Sequence, residues 1–191
     1  MKNIIILAII LLSTHSVKAQ KGDLTFVEPP QQFPVTCDVY NQKQQHEKFT
    51  GVWQGSVNDK LLRIELKNVK IHLPTVFPNA NFPNEECVDA IIGFHQFIDN
   101  GVEKENSLPY HDTTMYQKKW TVLGGNYNAN IPNIIKGTLE HPSKNKSVKF
   151  VISYIDATHI KLESLENLQG TKLAPYDSSI SLPQNIILTK Q

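Results

Sequence analysis

From residue 49 onward, apolar and polar residues alternate along the chain, and this period of two is the feature that most limits its fold. Successive side chains of a β-strand point to opposite faces, so the alternation is typical of strands with one buried face. No apolar stretch keeps a period of 3.6 long enough to predict a substantial helix. The chain is therefore predicted to be all-β, either an antiparallel barrel or a β-sandwich, since both folds carry this pattern. The predicted strands occupy residues 49–57, 61–67, 90–98, 102–104, 120–123, 133–140, 148–155, 159–165 and 185–190.

Short turn signals separate most of these strands. Residues 58–59 (Asn-Asp) lie between the first two strands, and residues 99–101 (Asp-Asn-Gly) are typical of a tight hairpin turn. Two longer segments, 74–87 and 105–119, are rich in polar residues or proline and are predicted to be irregular loops. A short helix would fit within 105–119 or 36–46. Hairpins are therefore the predicted connection between most strands.

Three glycines fall inside predicted strands. They are Gly51, Gly93 and Gly137, in a chain with 9 glycines in all. Glycine weakens a strand interior, so it usually marks a bend, a bulge or a close approach of another group. Strands that bend to close a barrel use glycine in this way. Chance placement is the alternative.

The first 19 residues have the form of a secretory signal peptide. Lys2 gives a basic start, residues 4–12 are an unbroken apolar run, and small residues precede a predicted cut after Ala19. The run is much shorter than the roughly 20 residues that span a bilayer. The mature protein is therefore predicted to be exported, to the periplasm or the medium. A buried N-terminal core segment is the alternative.

Residues 20–48 form a segment rich in proline and glutamine, which is predicted to be an extension before a barrel domain at 49–191. The extension holds Cys37, and the chain's other cysteine is Cys87. In an oxidising compartment an even number of cysteines favours a disulfide, which would pin the extension to the barrel. Closing that loop would contribute about 4 kcal/mol in the chain-entropy model. Two free thiols or a metal pair are the alternatives.

The charge pattern excludes several classes of partner. The formal net charge is +1, and residues of either sign are dispersed along the chain. Nucleic acid and anionic membranes bind concentrated basic faces, so neither is a predicted partner. Arg63 is the single arginine, which excludes an arginine cluster that grips phosphate through paired hydrogen bonds.

The sequence predicts no enzyme, metal site or cofactor. His111 is followed by Asp112, but neighbouring side chains point apart, and a solvated loop explains the pair. His95 on a predicted strand is best explained as a hydrogen-bonded histidine of the core or rim. Spacings typical of zinc sites, serine hydrolases and phosphate loops do not occur. No catalytic residue is therefore assigned.

The motif Gly51-Val52-Trp53 on the first predicted strand, followed by a meander of strands, resembles the start of lipocalin and related calycin barrels. The chain is also similar to signal-bearing bacterial proteins of lipocalin-like build. The resemblance implies an up-and-down barrel over residues 49–190, with Trp53 packed across its closed end. In that family an arginine late in the barrel stacks on the tryptophan, and this sequence has no arginine there.

The predicted strands at 90–98 and 148–155 carry apolar residues on both faces, over residues 91–94 and 150–152. This pattern predicts either burial on both sides or an internal cavity. The resemblance and this pattern together predict a small apolar ligand inside the barrel. The alternative is a non-enzymatic interaction or structural protein of the envelope or the extracellular space, with a filled core and a working surface on loops 74–87 and 105–119. A cavity of roughly 300 Å³ or more would favour the binding protein. The predicted ligand-binding residues are Trp53, Phe94, His95, Phe97 and Phe150.

Overall fold

The computed structural model describes residues 43–74, 85–126, 128, 130–168 and 177–191. The predicted signal peptide, its cut after Ala19 and the predicted disulfide partner Cys37 lie outside these residues. Within them the all-β prediction is confirmed. The elements are one short helix, α1 (Lys43–Glu47), and the strands β1 (Gly51–Val57), β2 (Lys60–Pro74), β3 (Glu85–Asp99), β4 (Val102–Asn106), β5 (Val122–Gly125), β6 (Ile134–His141), β7 (Lys146–Asp156), β8 (His159–Asn167) and β9 (Ile186–Lys190).

The strands close into a barrel, which decides between the two predicted folds. β1 to β3 and β5 to β9 form an antiparallel ring, and β2 completes it by pairing with both β1 and β3. β1 pairs with β9 on its other side. β4 is an additional strand that pairs only with β3. The barrel is therefore an eight-stranded up-and-down meander with one extra strand on its wall.

The β2–β3 hairpin is much longer than predicted. Its register runs without a break from Lys60 opposite Asp99 to Pro74 opposite Glu85. The predicted loop at 74–87 was therefore wrong at both ends, and residues 75–84 lie outside the described part of the chain. The apolar and polar alternation continues from 68 to 73, beyond the predicted strand end, and a proline is tolerated at a strand terminus.

The inward side chains of the ring form one continuous hydrophobic cluster. Trp53 is fully buried in it, and its indole Nε1 donates a hydrogen bond of 2.7 Å to the carbonyl oxygen of Phe49. The Lys190 ammonium lies 5.1 Å from the centroid of the Trp53 ring. This distance suits an attraction between the cation and the aromatic ring.

Glycine allows two strands to approach closely at the β5–β6 pair. Gly124 lies directly opposite Gly137, and a Cβ on Gly137 would lie 2.0 Å from the carbonyl oxygen of Leu123. No Cβ fits at that distance. Gly124 was predicted to follow the strand at 120–123, whereas β5 begins at Val122 and includes it. The glycine marks a close approach of backbones and not a strand end.

Helix α1 lies within the predicted extension and contributes a buried histidine to the barrel. The Nε2 atom of His46 accepts a hydrogen bond of 2.9 Å from the backbone N–H of Asn126, at the end of β5. Burial lowers the pKa of His46, which favours the neutral ring that can accept this bond. Among the described residues, no helix is long and apolar enough to cross a membrane.

Candidate functional site

The barrel wall is interrupted beside β5, the shortest strand of the ring. β3 pairs with β5 at residues 91–93 and with β4 at residues 96–99, so two strands share one edge of β3. β6 extends past the end of β5, where the N–H of Glu140 still donates to the carbonyl oxygen of Thr121 at 2.7 Å. β4 and β6 are not neighbours in the sheet. Between them the wall lacks a backbone ladder.

The carboxylate of Glu105 spans this gap. Glu105 on β4 is buried, and its Oε2 lies 2.7 Å from Nε2 of His95 on β3. Its Oε1 lies 2.5 Å from Nδ1 of His141 at the end of β6. The same oxygen accepts hydrogen bonds from the backbone N–H and the hydroxyl of Ser143, at 3.0 and 2.5 Å. One side chain therefore joins the paired strands β3 and β4 to the end of β6, which does not pair with β4 in the sheet.

The two histidines extend this network in opposite directions. His95 Nδ1 lies 2.7 Å from the hydroxyl of Thr121, which lies 2.9 Å from the hydroxyl of Ser107. His141 Nε2 lies 3.0 Å from the hydroxyl of Ser181 and accepts its backbone N–H at 3.3 Å. The network thus fixes the segment after β4, the segment before β5 and the segment before β9.

The electrostatics of the network follow from this geometry. Burial alone would raise the pKa of Glu105, but hydrogen bonds from His141, His95 and Ser143 outweigh burial and hold the pKa far below its usual range. The carboxylate is therefore ionised and accepts only. Because His141 Nε2 accepts the N–H of Ser181, its proton lies on Nδ1 and points at Glu105.

A cleft of about 740 Å³ lies over this gap. Its base includes His95 and Glu105, and its walls come from the end of β4, the segment after it, the segment before β5 and the β6–β7 connection. The volume is within the range of pockets that enclose small ligands. The lining residues are His95, Lys104, Glu105, Asn106, Ser107, Tyr110, Lys118, Lys119, Trp120, Thr121, Glu140, Pro142, Asn145, Lys146 and Ser147.

One cleft residue has an unusual backbone. Lys118 has φ +50°, whereas every other non-glycine residue with positive φ in the described chain is an asparagine or aspartate. Short polar side chains tolerate this left-handed region, and longer ones pay about 1–2 kcal/mol to enter it. Such strain in folded proteins clusters at ligand sites.

The structure separates the five predicted ligand-binding residues. Trp53, Phe97 and Phe150 lie in the core cluster inside the ring. Phe94 is buried on the outer face of β3, with the Lys67 ammonium 5.9 Å from its ring centroid. Of these five residues, only His95 lines the cleft. Binding at any of the five stays a prediction.

The segment 105–119 covers the outer wall near Phe94. Its His111 carbonyl oxygen accepts a hydrogen bond of 2.5 Å from Lys67, and the His111 ring lies 3.4 Å from a carboxylate oxygen of Glu65. His111 also lies 3.2 Å from Asp112, on the surface. The segment that was predicted to be irregular begins with the end of β4 and contains two 3₁₀ turns, Leu108–Tyr110 and Met115–Gln117.

Sequence reasoning missed Glu105, His141 and Trp120 as site residues. A signal existed for His141, because Ile135, Leu139 and His141 share the period of two that places alternate residues of β6 inside. No such signal exists for Glu105, because charged residues occupy both faces of β4 and do not show which face is buried. In the part of the chain that the structure describes, no group of three or more histidine, cysteine, aspartate or glutamate residues is arranged to hold a metal ion.

Comparison with known protein families identifies where the chain belongs. All of it, residues 1–191, matches a family described as a family of unknown function (DUF6705), and the chain is a member of that family. Comparisons with curated proteins and with solved structures found no match. The geometry of the cleft is therefore the evidence that bears on function.

Proposed function

We propose that this protein is an exported, non-enzymatic binding protein that holds a small polar ligand in the lateral cleft. The observation that carries the proposal is the cleft itself, an indentation of about 740 Å³ over a gap in the barrel wall. Its base is a saturated hydrogen-bond network and therefore rigid. A rigid base with adaptable side chains around it is the arrangement expected of a ligand site.

The proposed binding site is the cleft, whereas the sequence predicted a site inside the barrel. The inward side chains of the ring form a continuous buried cluster, in which Trp53, Phe97 and Phe150 are at most 1% exposed. An apolar ligand there would have to displace close-packed side chains, which costs stability. The cleft, by contrast, is lined mainly by polar and charged residues. We therefore propose a polar ligand.

Export rests on the signal-like segment at the N-terminus. The mature chain is proposed to begin at Gln20 and to carry the Cys37–Cys87 disulfide. The denatured, unreduced mass of the exported protein tests both points. We expect the mass of residues 20–191 less two hydrogen atoms, and the mass of the uncut chain would contradict export through this signal.

Native mass spectrometry of the exported protein tests the binding function. We expect an added mass that disappears on denaturation and is lost in Tyr110→Ala, because Tyr110 lines the cleft. Tyr116→Ala is the matched control: Tyr116 is 52% exposed, similar to the 47% of Tyr110, but does not line the cleft. A clean apo mass, or an adduct that Tyr110→Ala leaves unchanged, would contradict the proposal.

One arrangement favours a second candidate function, a serine hydrolase. Ser181, His141 and Glu105 are connected in the order of a catalytic triad, with the hydroxyl 3.0 Å from Nε2 and the carboxylate 2.5 Å from Nδ1. Two observations weigh against it. His141 is fully buried, and the Ser181 backbone N–H occupies the Nε2 that would have to receive the hydroxyl proton.

A fluorophosphonate probe separates the two functions. A binding protein is expected to remain unlabelled, as is Ser181→Ala. Labelling of the wild-type protein that is lost in Ser181→Ala would establish the hydrolase instead.

A further inference from the structure

We propose, on the basis of the binding function above, that the ligand of the cleft is an acidic oligosaccharide, a short chain of sugar rings that carry carboxylates. The proposal rests on three properties of the lining taken together: its charge, its aromatic rings and its other hydrogen-bonding groups. Each property fits one part of such a ligand.

The charge of the lining favours an anion. Lysines at 104, 118, 119 and 146 line the cleft beside two glutamates, Glu105 and Glu140, in a chain whose formal net charge is only +1. The Lys146 ammonium is held in place by the carbonyl oxygens of Asp177 and Ser179, at 2.9 and 2.6 Å. Glu105 at the base is already enclosed by its own hydrogen bonds. The lysines therefore create a positive field that a carboxylate would enter favourably.

The aromatic residues favour a ring. Tyr110 is 47% exposed, and the half-buried Trp120 lies in the same lining. The Lys119 ammonium lies 5.5 Å from the centroid of the Tyr110 ring, so a cation and an aromatic face are presented together. The apolar C–H face of a sugar ring packs on an aromatic ring while a carboxylate on its edge reaches the ammonium.

The remaining groups favour hydroxyls. The lining includes the Asn145 amide and the exposed carboxylate of Glu140, which accepts a hydrogen bond of 2.8 Å from Ser147. An amide donates and accepts, and a carboxylate accepts, which suits sugar hydroxyls. A phosphate fits less well, because the single arginine, Arg63, does not line the cleft. The volume of about 740 Å³ suits a short oligomer better than a single ring.

Calorimetric titration with trigalacturonate tests the ligand class, and its fully methyl-esterified form is the matched probe because it keeps the rings and removes the charge. We expect the acid to bind at least roughly tenfold more tightly than the ester, with an affinity that falls as salt is added. Lys119→Gln should weaken binding of the acid by roughly three- to tenfold. Lys136→Gln, an exposed lysine outside the cleft, should leave it unchanged.

Titrations with ligands of different length distinguish a free oligosaccharide from a segment of a polysaccharide. Galacturonate monomer, trimer and polymer are titrated in parallel, and tightest binding of the trimer identifies a short oligomer as the occupant. Equal binding of trimer and polymer, counted per bound segment, identifies an internal stretch of an acidic polysaccharide. Inorganic phosphate binding more tightly than the trimer would overturn the proposal.

The outcomes also distinguish this inference from the binding function. If the ester binds as well as the acid, or neither binds, the acidic oligosaccharide is rejected. If the exported protein nevertheless carries a mass that Tyr110→Ala removes, the cleft still binds a ligand of another class. If that mass is also missing, both proposals fail.

Discussion

The two tryptophans of this chain lie in regions of the barrel that are built in opposite ways. Trp53 lies fully buried where β1 pairs with β2 and β9, so backbone ladders enclose it on both sides. Trp120 lies half-buried beside the gap between β4 and β6, where no ladder exists and side chains close the wall. The first region is held by backbone hydrogen bonds, which do not depend on the identity of the side chains. The second region depends on the side chains of a few particular residues.

Substitutions should therefore cost more stability in the gap than in the ladders. A ladder is made by the backbone, so a side chain can change without removing its hydrogen bonds. In the gap, the Glu105 side chain connects the β3–β4 pair to the end of β6 and the segment after it. A protein with a continuous wall would need no such residue, and the interruption is what makes room for the cleft.

Glu105→Ala is expected to produce the largest effect. It removes the acceptor of His95, His141 and Ser143 and leaves the two histidine donors buried, which should lower the free energy of unfolding by about 3–5 kcal/mol. Urea denaturation measures the change. Glu103→Ala, on the same strand but exposed, is the control and should change stability by less than about 0.5 kcal/mol. Equal losses in both variants would show that the network does not hold the wall.

Acid should destabilise the protein through Glu105. The pKa of Glu105 in the folded protein lies below the value of about 4.3 expected when unfolded, so its contribution is complete above about pH 5 and is lost as the pH falls. Between pH 4 and pH 2 the free energy of unfolding should fall by up to about 1.4 kcal/mol per pH unit from this group.

Glu105→Gln is the control for the acid effect, because glutamine does not titrate. The pKa values of Asp156, Glu163 and Asp177 are also lowered, so both proteins should lose stability in acid. The excess loss in the wild type belongs to Glu105. Parallel pH profiles for the two proteins would contradict the assignment.

Gly137→Ala examines a place where a ladder does depend on the absence of a side chain. The added Cβ would meet the carbonyl oxygen of Leu123 and the Cα of Gly124, so the β5–β6 pair must separate. We expect a loss of about 1–3 kcal/mol in thermal or urea unfolding. Lys136→Ala, exposed on the same strand, should cost less than about 0.5 kcal/mol. A stable Gly137→Ala protein would mean that the strands can move apart freely.

Lys118→Asn is expected to have the smallest effect on stability and the opposite sign. Asparagine tolerates the left-handed backbone at this position, so the protein should gain about 0.5–1 kcal/mol while its affinity for trigalacturonate falls. Such an exchange of stability for binding is typical of strained ligand sites. A loss of stability in this variant would show that the lysine is retained for the fold and not for the ligand.

The sequence predicted the strands well because each strand needs only its own period of two. Helix α1 and the start of β3 fell in segments dominated by polar residues and proline, where local signals are weak, whereas the alternation that extends β2 through 68–73 was present and was missed. The site could not be predicted in the same way. Glu105 meets His95 across the β3–β4 hairpin, 10 residues away, but it meets His141 36 residues away, and only the pairing of β5 with β3 and β6 brings those two close.

Indole N–H signals of the two tryptophans provide the most direct test of the central claim, that ligands bind in the lateral cleft and not inside the barrel. The chain has 2 tryptophans, so a ¹H–¹⁵N spectrum reports one signal from each region. A fragment library with anionic, neutral and apolar members would be screened against the labelled protein. We expect hits to shift the Trp120 signal and leave Trp53 unchanged. Hits that shift Trp53 while Trp120 stays still, or a library without a hit, would contradict the account.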